Sequence, residues 1–161
     1  MKRRWVIPLL LLLMAAPAAC GSDSPIDGDP SVVDGGGGGG GTTIPDCPLT
    51  AEQASGIVGR ELADRGGCSF SDGIALLSIT TASESAALAT YDYARDTATQ
   101  TYHTVSELKR DGKGFFAVKD IEAQLVLIRS DGAYTVTMSS FSMDAATYEQ
   151  TMYALVDAIL G

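Results

Sequence analysis

From about residue 45 onward, apolar positions recur at helical and strand spacing in turn, and the alternation outlines a fold. Ala54, Ile57, Val58, Glu61, Leu62 and Arg65 fall at helical spacing, with Ala54, Val58 and Leu62 on one inward stripe. Thr50-Ala51-Glu52-Gln53 has the form of a capping box at the start of this helix, and Gly66-Gly67 supplies its end. Ser69-Phe70, a turn at Ser71-Asp72-Gly73 and a strand over 74–80 read as a hairpin. The second strand alternates, with Ile74, Leu76 and Ser78 on one face and Ala75, Leu77 and Ile79 on the other. A second capping box, Thr81 to Glu84, opens an alanine-rich helix that runs to about Thr99. Its stripe is Ala87, Tyr91, Ala94 and Ala98, with Leu88 beside it.

A short strand is expected over 102–108, followed by the charged, glycine-containing loop from Lys109 to Gly114. Firmer strands follow at 115–118, 122–129 and 133–140, and Ser130-Asp131-Gly132 joins the last two as a tight hairpin. The closing helix, 144–160, places Ala145, Tyr148, Met152, Leu155, Val156 and Ile159 on one apolar stripe. The order α-β-β-α-β-β-β-α points to an α+β domain, an antiparallel sheet with its helices packed on one face.

The first 44 residues read differently. Met1-Lys2-Arg3-Arg4 is basic, Trp5 to Met14 is a short apolar run, and small residues follow from Ala15 to Ala19. This is the layout of a secretory signal, and the apolar run is too short to span a bilayer as a mature helix. Cys20 stands directly after Ala18-Ala19 and before Gly21-Ser22. That arrangement resembles the lipobox of bacterial lipoproteins, which implies a diacylglycerol on the Cys20 sulfur and cleavage that leaves Cys20 as the first residue. The other reading is ordinary cleavage near Ala16-Pro17-Ala18, with Cys20 left as a plain thiol.

From Gly21 to Ile44 no apolar periodicity remains, and seven consecutive glycines run from Gly35 to Gly41. Glycine loses the most backbone entropy on ordering and has no side chain to bury, so this stretch is expected to act as a flexible stalk. Asp27-Gly28-Asp29 lacks the further spaced ligands of a calcium loop and reads as solvated linker. The expected organisation is therefore a lipoprotein signal peptide over 1–19, a Gly/Asp-rich tether over 20–44 and a single α+β domain over 45–161.

The cysteine count bears on the choice at Cys20. The chain has three cysteines, and an odd number in an exported protein leaves one thiol over. If Cys20 carries lipid, Cys47 and Cys68 remain as a natural pair for an oxidising compartment. Acyl chains gain about 0.8 kcal/mol per buried methylene, enough for two of them to hold a protein on a membrane. Charge then narrows the partners. The formal charge is −9, and loss of Lys2, Arg3 and Arg4 with the leader takes away three positive charges to leave −12. Such a chain has no electrostatic attraction for nucleic acid or anionic head groups, so no nucleic-acid partner is expected.

Cys47-Pro48-Leu49-Thr50 opening a capped helix, Gly66-Gly67-Cys68-x-Phe70, Gly112-x-Gly114-x-Phe116, a hairpin and an Ala-rich C-terminal helix occur in that order. This set, from Asp46 to Gly161, resembles small actinobacterial envelope lipoproteins that carry a domain of unknown function. The resemblance implies a lipidated N-terminal cysteine, paired domain cysteines (here Cys47 and Cys68) and a place on the extracytoplasmic face of the cell membrane. It implies no reaction.

Candidate chemistry is sparse. Ser106-Glu107-Leu108-Lys109 matches Ser-x-x-Lys, but Ser130-Asp131-Gly132 stands where Ser-Asp-Asn would be wanted and no Lys-Thr-Gly exists. His103 is the sole histidine, without a Gly-x-Ser-x-Gly elbow or a set of metal ligands around it in sequence. No catalytic residue, metal site or cofactor is expected. Tyrosines are the remaining candidates, since they combine area, rigidity and a polar tip. Tyr91, Tyr93 and Tyr102 cluster around the second helix, and Tyr134, Tyr148 and Tyr153 lie elsewhere. The expectation is a membrane-anchored, non-enzymatic envelope lipoprotein whose domain binds another envelope component, foremost a protein. The alternative is a carrier or sensor in which the sheet and the C-terminal helix, with Met138, Met143 and Met152, enclose a small apolar ligand or lipid.

Overall fold

Local capping chemistry decides where the helices of the computed structural model begin and end; the structure describes residues 42–161. Helix α1 (Ala51–Val58) starts at Thr50, whose side chain accepts from Gln53 N–H while the Gln53 side chain accepts from Thr50 N–H, a reciprocal capping box. It stops eight residues earlier than Gly66. Gly59 takes a left-handed conformation at φ 69°, and its N–H and that of Arg60 both bond to Ser55 O. The Ser55 hydroxyl then accepts from Leu62 N–H at 2.9 Å, turning the chain so that Leu62 is buried beyond the helix rather than on it.

Three short antiparallel strands follow: β1 (Ala63–Asp64), β2 (Ser69–Ser71) and β3 (Leu76–Ala82). Gly66 and Gly67 therefore turn a hairpin between β1 and β2, where Asp64 accepts from Gly66 N–H at 2.7 Å. Helix α2 (Glu84–Thr101) is capped by Ser83, not Thr81, because Thr81 is still paired with Tyr134 in the sheet. Strands β4 (Thr104–Glu107), β5 (Lys113–Lys119), β6 (Glu122–Arg129) and β7 (Gly132–Ser139) come next. Helix α3 (Ala145–Leu160) closes the chain, with Asp144 accepting from Thr147 N–H.

All seven strands form one antiparallel sheet in the order β1-β2-β3-β7-β6-β5-β4. The α+β class and the order of elements are those expected from the sequence: the short strand expected over 102–108 is β4, and the two-residue edge strand β1 is added. The helices, however, do not share one face. Tyr148, Met152, Leu155 and Val156 of α3 and Ala54 and Val58 of α1 are buried in one cluster with Leu77, Phe116, Leu125, Leu127, Val136 and Met138. Tyr91 and Ala98 of α2 belong to a second cluster with Phe115, Ala117, Val126, Ile128 and Ala133. Successive strand residues point to opposite faces, so Phe115 and Phe116, or Val126 and Leu127, must serve opposite sides of the sheet.

Burial is thus continuous from Gly114 to Val118 and from Leu125 to Ile128. A strand buried on both faces needs cover on both, and α2 supplies it for β5 and β6. It covers only part of its side of the sheet. The α2-side residues of β2, β3 and β7 include Ser69, Ser78, Thr80, Thr135, Thr137 and Ser139, and none of them joins either cluster. An all-round apolar strand pair beside a half-polar one leaves α2 lying along a boundary.

Candidate functional site

Along that boundary runs a groove of about 360 Å³, lined by Thr90, Tyr93, Ala94, Thr97, Thr101, Tyr102 and Gln124 with Ala98 at its base. Helical spacing puts Thr90, Tyr93, Ala94, Thr97, Ala98 and Thr101 on one side of α2, where small side chains keep the wall low. The floor comes from β6. Gln124 points to the α2 side because it pairs with Ala117 and Thr137, both on that face.

The two tyrosines differ in how they are held. Tyr93 is 78% exposed, an aromatic ring standing at the groove edge. Tyr102 is half-buried, and its hydroxyl donates to the Glu122 carboxylate. Lys119 Nζ lies 5.0 Å from the centre of the Tyr102 ring and 3.5 Å from Glu122. Burial, and after it the hydrogen bond to Glu122, pushes the Tyr102 hydroxyl far above its ordinary value, so it stays protonated and keeps its proton for Glu122. A cation, a carboxylate and a neutral phenol are thus grouped around Tyr102, which lines the groove, with no net charge among them.

The third tyrosine of this region does a different job. Tyr91 is buried on the opposite side of the groove wall, edge-on to Phe115 at 5.9 Å, with its hydroxyl donating to Gly114 O at 3.2 Å. Tyr148 lies in the other cluster, where its hydroxyl donates to Ile121 O and accepts from Phe141 N–H. Tyr134 is buried and belongs to that cluster, and Tyr153 packs at its edge with the Arg110 guanidinium 4.6 Å from its ring centre.

The remaining sequence candidates are scattered. Ser106 is half-buried on the edge strand β4, paired with Phe116, and exposed Lys109 lies in the loop after it. His103 is exposed, with Nδ1 3.6 Å from an Asp120 oxygen, beside a hollow of about 210 Å³ that Met143 also borders. Met138 and Met152 are fully buried in the packed α3-side core. Among the described residues no group of three or more His, Cys, Asp or Glu is placed to hold a metal ion, and no helix is long and apolar enough to cross a membrane.

Cys47 and Cys68 form a disulfide, with Cα atoms 5.4 Å apart. It ties the approach to α1 to the residue before β2, where Cys68 takes a left-handed conformation at φ 58°. Cys20, the leader and the tether up to residue 41 lie outside the described residues. Gln124 and the threonines Thr90, Thr97 and Thr101 of α2 escaped the sequence reading, whereas Ala94 and Ala98 belong to the apolar stripe it predicts. The polar half of the sheet also went unremarked, although Thr135, Thr137 and Ser139 repeat with period two. The chain matches no protein-family profile, no curated protein and no solved structure.

Proposed function

We propose that this chain is a membrane-anchored, non-enzymatic lipoprotein of the cell envelope, held by lipid on Cys20, whose domain binds another envelope component. The observation that carries the binding role is the groove beside α2. It offers aromatic rings, hydroxyls and a carboxamide, groups that hold a ligand, in a concave site on a rigid helix and strand. The lipobox-like Ala18-Ala19-Cys20-Gly21 and the glycine tether carry the anchoring role, and the Cys47–Cys68 disulfide suits an oxidising compartment outside the cytoplasm.

The test is native mass spectrometry of the full chain released in detergent from its own membrane, with Cys20→Ser alongside. The expected result is a diacylglyceryl mass on Cys20 and transfer of Cys20→Ser to the soluble fraction. A photo-reactive diazirine side chain at position 93, with the same probe at exposed Glu52 as control, is expected to capture a ligand at 93 only. An unlipidated, membrane-free protein, or equal labelling at both positions, would count against the reading.

A further inference from the structure

We propose that the component held on the α2 side of the sheet is a neutral glycan chain, lying in the groove and continuing across the half of that face that α2 does not cover; this rests on the binding role proposed above. Register places Gln124, Thr137, Ser78 and Ser69 in one cross-strand row that starts in the groove and runs out over β7, β3 and β2. A parallel row carries Thr135 and Thr80, and another carries Ser139, Leu76 and Ser71. Neighbouring strands are about 4.8 Å apart, so the first row presents polar side chains at a step close to the length of one sugar ring.

Three properties select the ligand. First, among the described residues none hydrogen-bonds to the hydroxyls of Ser69, Ser78, Thr80, Thr135, Thr137 or Ser139, or to the Gln124 carboxamide. A hydroxyl donates or accepts as needed, which is what the hydroxyls of a sugar also do. Second, the α2-side positions of β2, β3 and β7 carry no charge, on a chain with 20 acidic against 11 basic residues. The charges at the groove end, Lys119 and Glu122, pair with one another. A polyanion finds nothing to neutralise it here, and a charged peptide finds no complement. Third, Tyr93, exposed at the groove edge, offers a ring face for the apolar C–H face of a pyranose.

A protein partner fits this bed less well. Protein interfaces concentrate their energy in large apolar or aromatic anchors set into desolvated pockets, and rows of serine and threonine give little area for them. Strand addition within this bed is closed as well, because β3 and β7 are paired on both edges and the sheet's edge strands are β1 and β4.

The experiment presents the full detergent-released chain to neutral oligosaccharides of glucose, mannose and N-acetylglucosamine and to sulfated forms of the same sugars. Saturation-transfer NMR reads binding, and Tyr93→Ala and Thr137→Val are compared with the parent. The expected result is binding of a neutral series, tighter for longer chains, weaker for the sulfated forms, and lowered about tenfold in each variant. Tyr93 is 78% exposed, so its variant keeps the proposal testable if Thr137→Val misfolds. Absence of binding across the neutral panel overturns the glycan. Position-93 diazirine capture of a protein would then leave the binding role standing with a different ligand, whereas no capture of any kind would remove both.

Discussion

The hydroxyl of Tyr91 donates to the carbonyl of Gly114, 23 residues along the chain, a buried polar tie between α2 and the sheet that stands beside the exposed Arg95–Glu107 ion pair to β4. The rest of the α2 contact is thin. Ala87, Ala94 and Ala98 bring little area, while the Tyr91 ring meets Phe115 edge-on and lies 4.0 Å from Lys113 Nζ. Tyr91→Phe removes only the hydrogen bond and is expected to cost about 1 kcal/mol. Tyr91→Ala should cost about 3–5 kcal/mol and loosen the groove wall. Urea unfolding gives the stability, and amide hydrogen exchange should show the loss concentrated in α2 rather than α3.

Gly114 answers a second constraint. A Cβ there would overlap the Val126 carbonyl oxygen and meet Leu108 Cδ2 at 3.0 Å, backbone on one side and a buried side chain on the other. Gly114→Ala is therefore expected to destabilise by about 2–3 kcal/mol, since the neighbouring strand must move. Gly56, inside α1, has nothing within 4 Å of an added Cβ, and Gly56→Ala should stabilise by about 0.5–1 kcal/mol. Opposite shifts in the urea midpoint would separate the two glycines; equal shifts would contradict the packing argument.

These two positions also mark how far the sequence could be read. Period and capping were enough for α3, for β6 and β7 with their Asp131-Gly132 turn, and for the buried stripe of α2. The unbroken apolar run Leu125 to Ile128 was the signal that both faces of the sheet are covered, yet periodicity alone does not say which helix goes where. Leu62 misled in a simple way. It continues the helical spacing of Ala54 and Val58 but is buried after the chain has turned at Gly59, because Ser55 recaptures the backbone. Tyr93 and Tyr102 stood out by type, whereas Gln124 became part of a site only through its register with Ala117 and Thr137.

The Cys47–Cys68 bond closes a loop with a sequence separation of 21 around α1. In the chain-entropy account such a closure is worth about 3 kcal/mol, a large share for one small domain. Cys47→Ala with Cys68→Ala should lower the unfolding free energy by that amount, read from urea unfolding. The effect belongs mostly to the unfolded chain, so the folded sheet is expected to give an unchanged far-ultraviolet spectrum in the double variant. A spectrum already lost in dilute buffer would mean that the disulfide also organises the native state.

Stability should fall at both ends of the pH range, for groups that can be named. Backbone N–H bonds from Ile74 and Ala75, aided by Arg60, hold the Asp72 carboxyl below its ordinary 3.8. Thr147 does the same for Asp144 at the cap of α3, and the Arg110 hydrogen bond does so for Asp157. A depressed folded value means stability that is present above 3.8 and is lost as the pH falls through each folded value. The tyrosines act at the other end. Burial raises Tyr91, Tyr134 and Tyr148 above 10, and burial with the Glu122 hydrogen bond raises Tyr102 furthest. Their contribution is complete below pH 10, and it falls as the pH rises towards the folded values, because the unfolded chain releases those protons first. Asp72→Asn, which keeps an acceptor for the two N–H groups, should flatten the acid limb and leave the alkaline one alone. Tyr102→Phe should do the reverse. Urea midpoints taken across the pH range would check both, and an alkaline limb unchanged in Tyr102→Phe would remove Tyr102 and Glu122 as its cause.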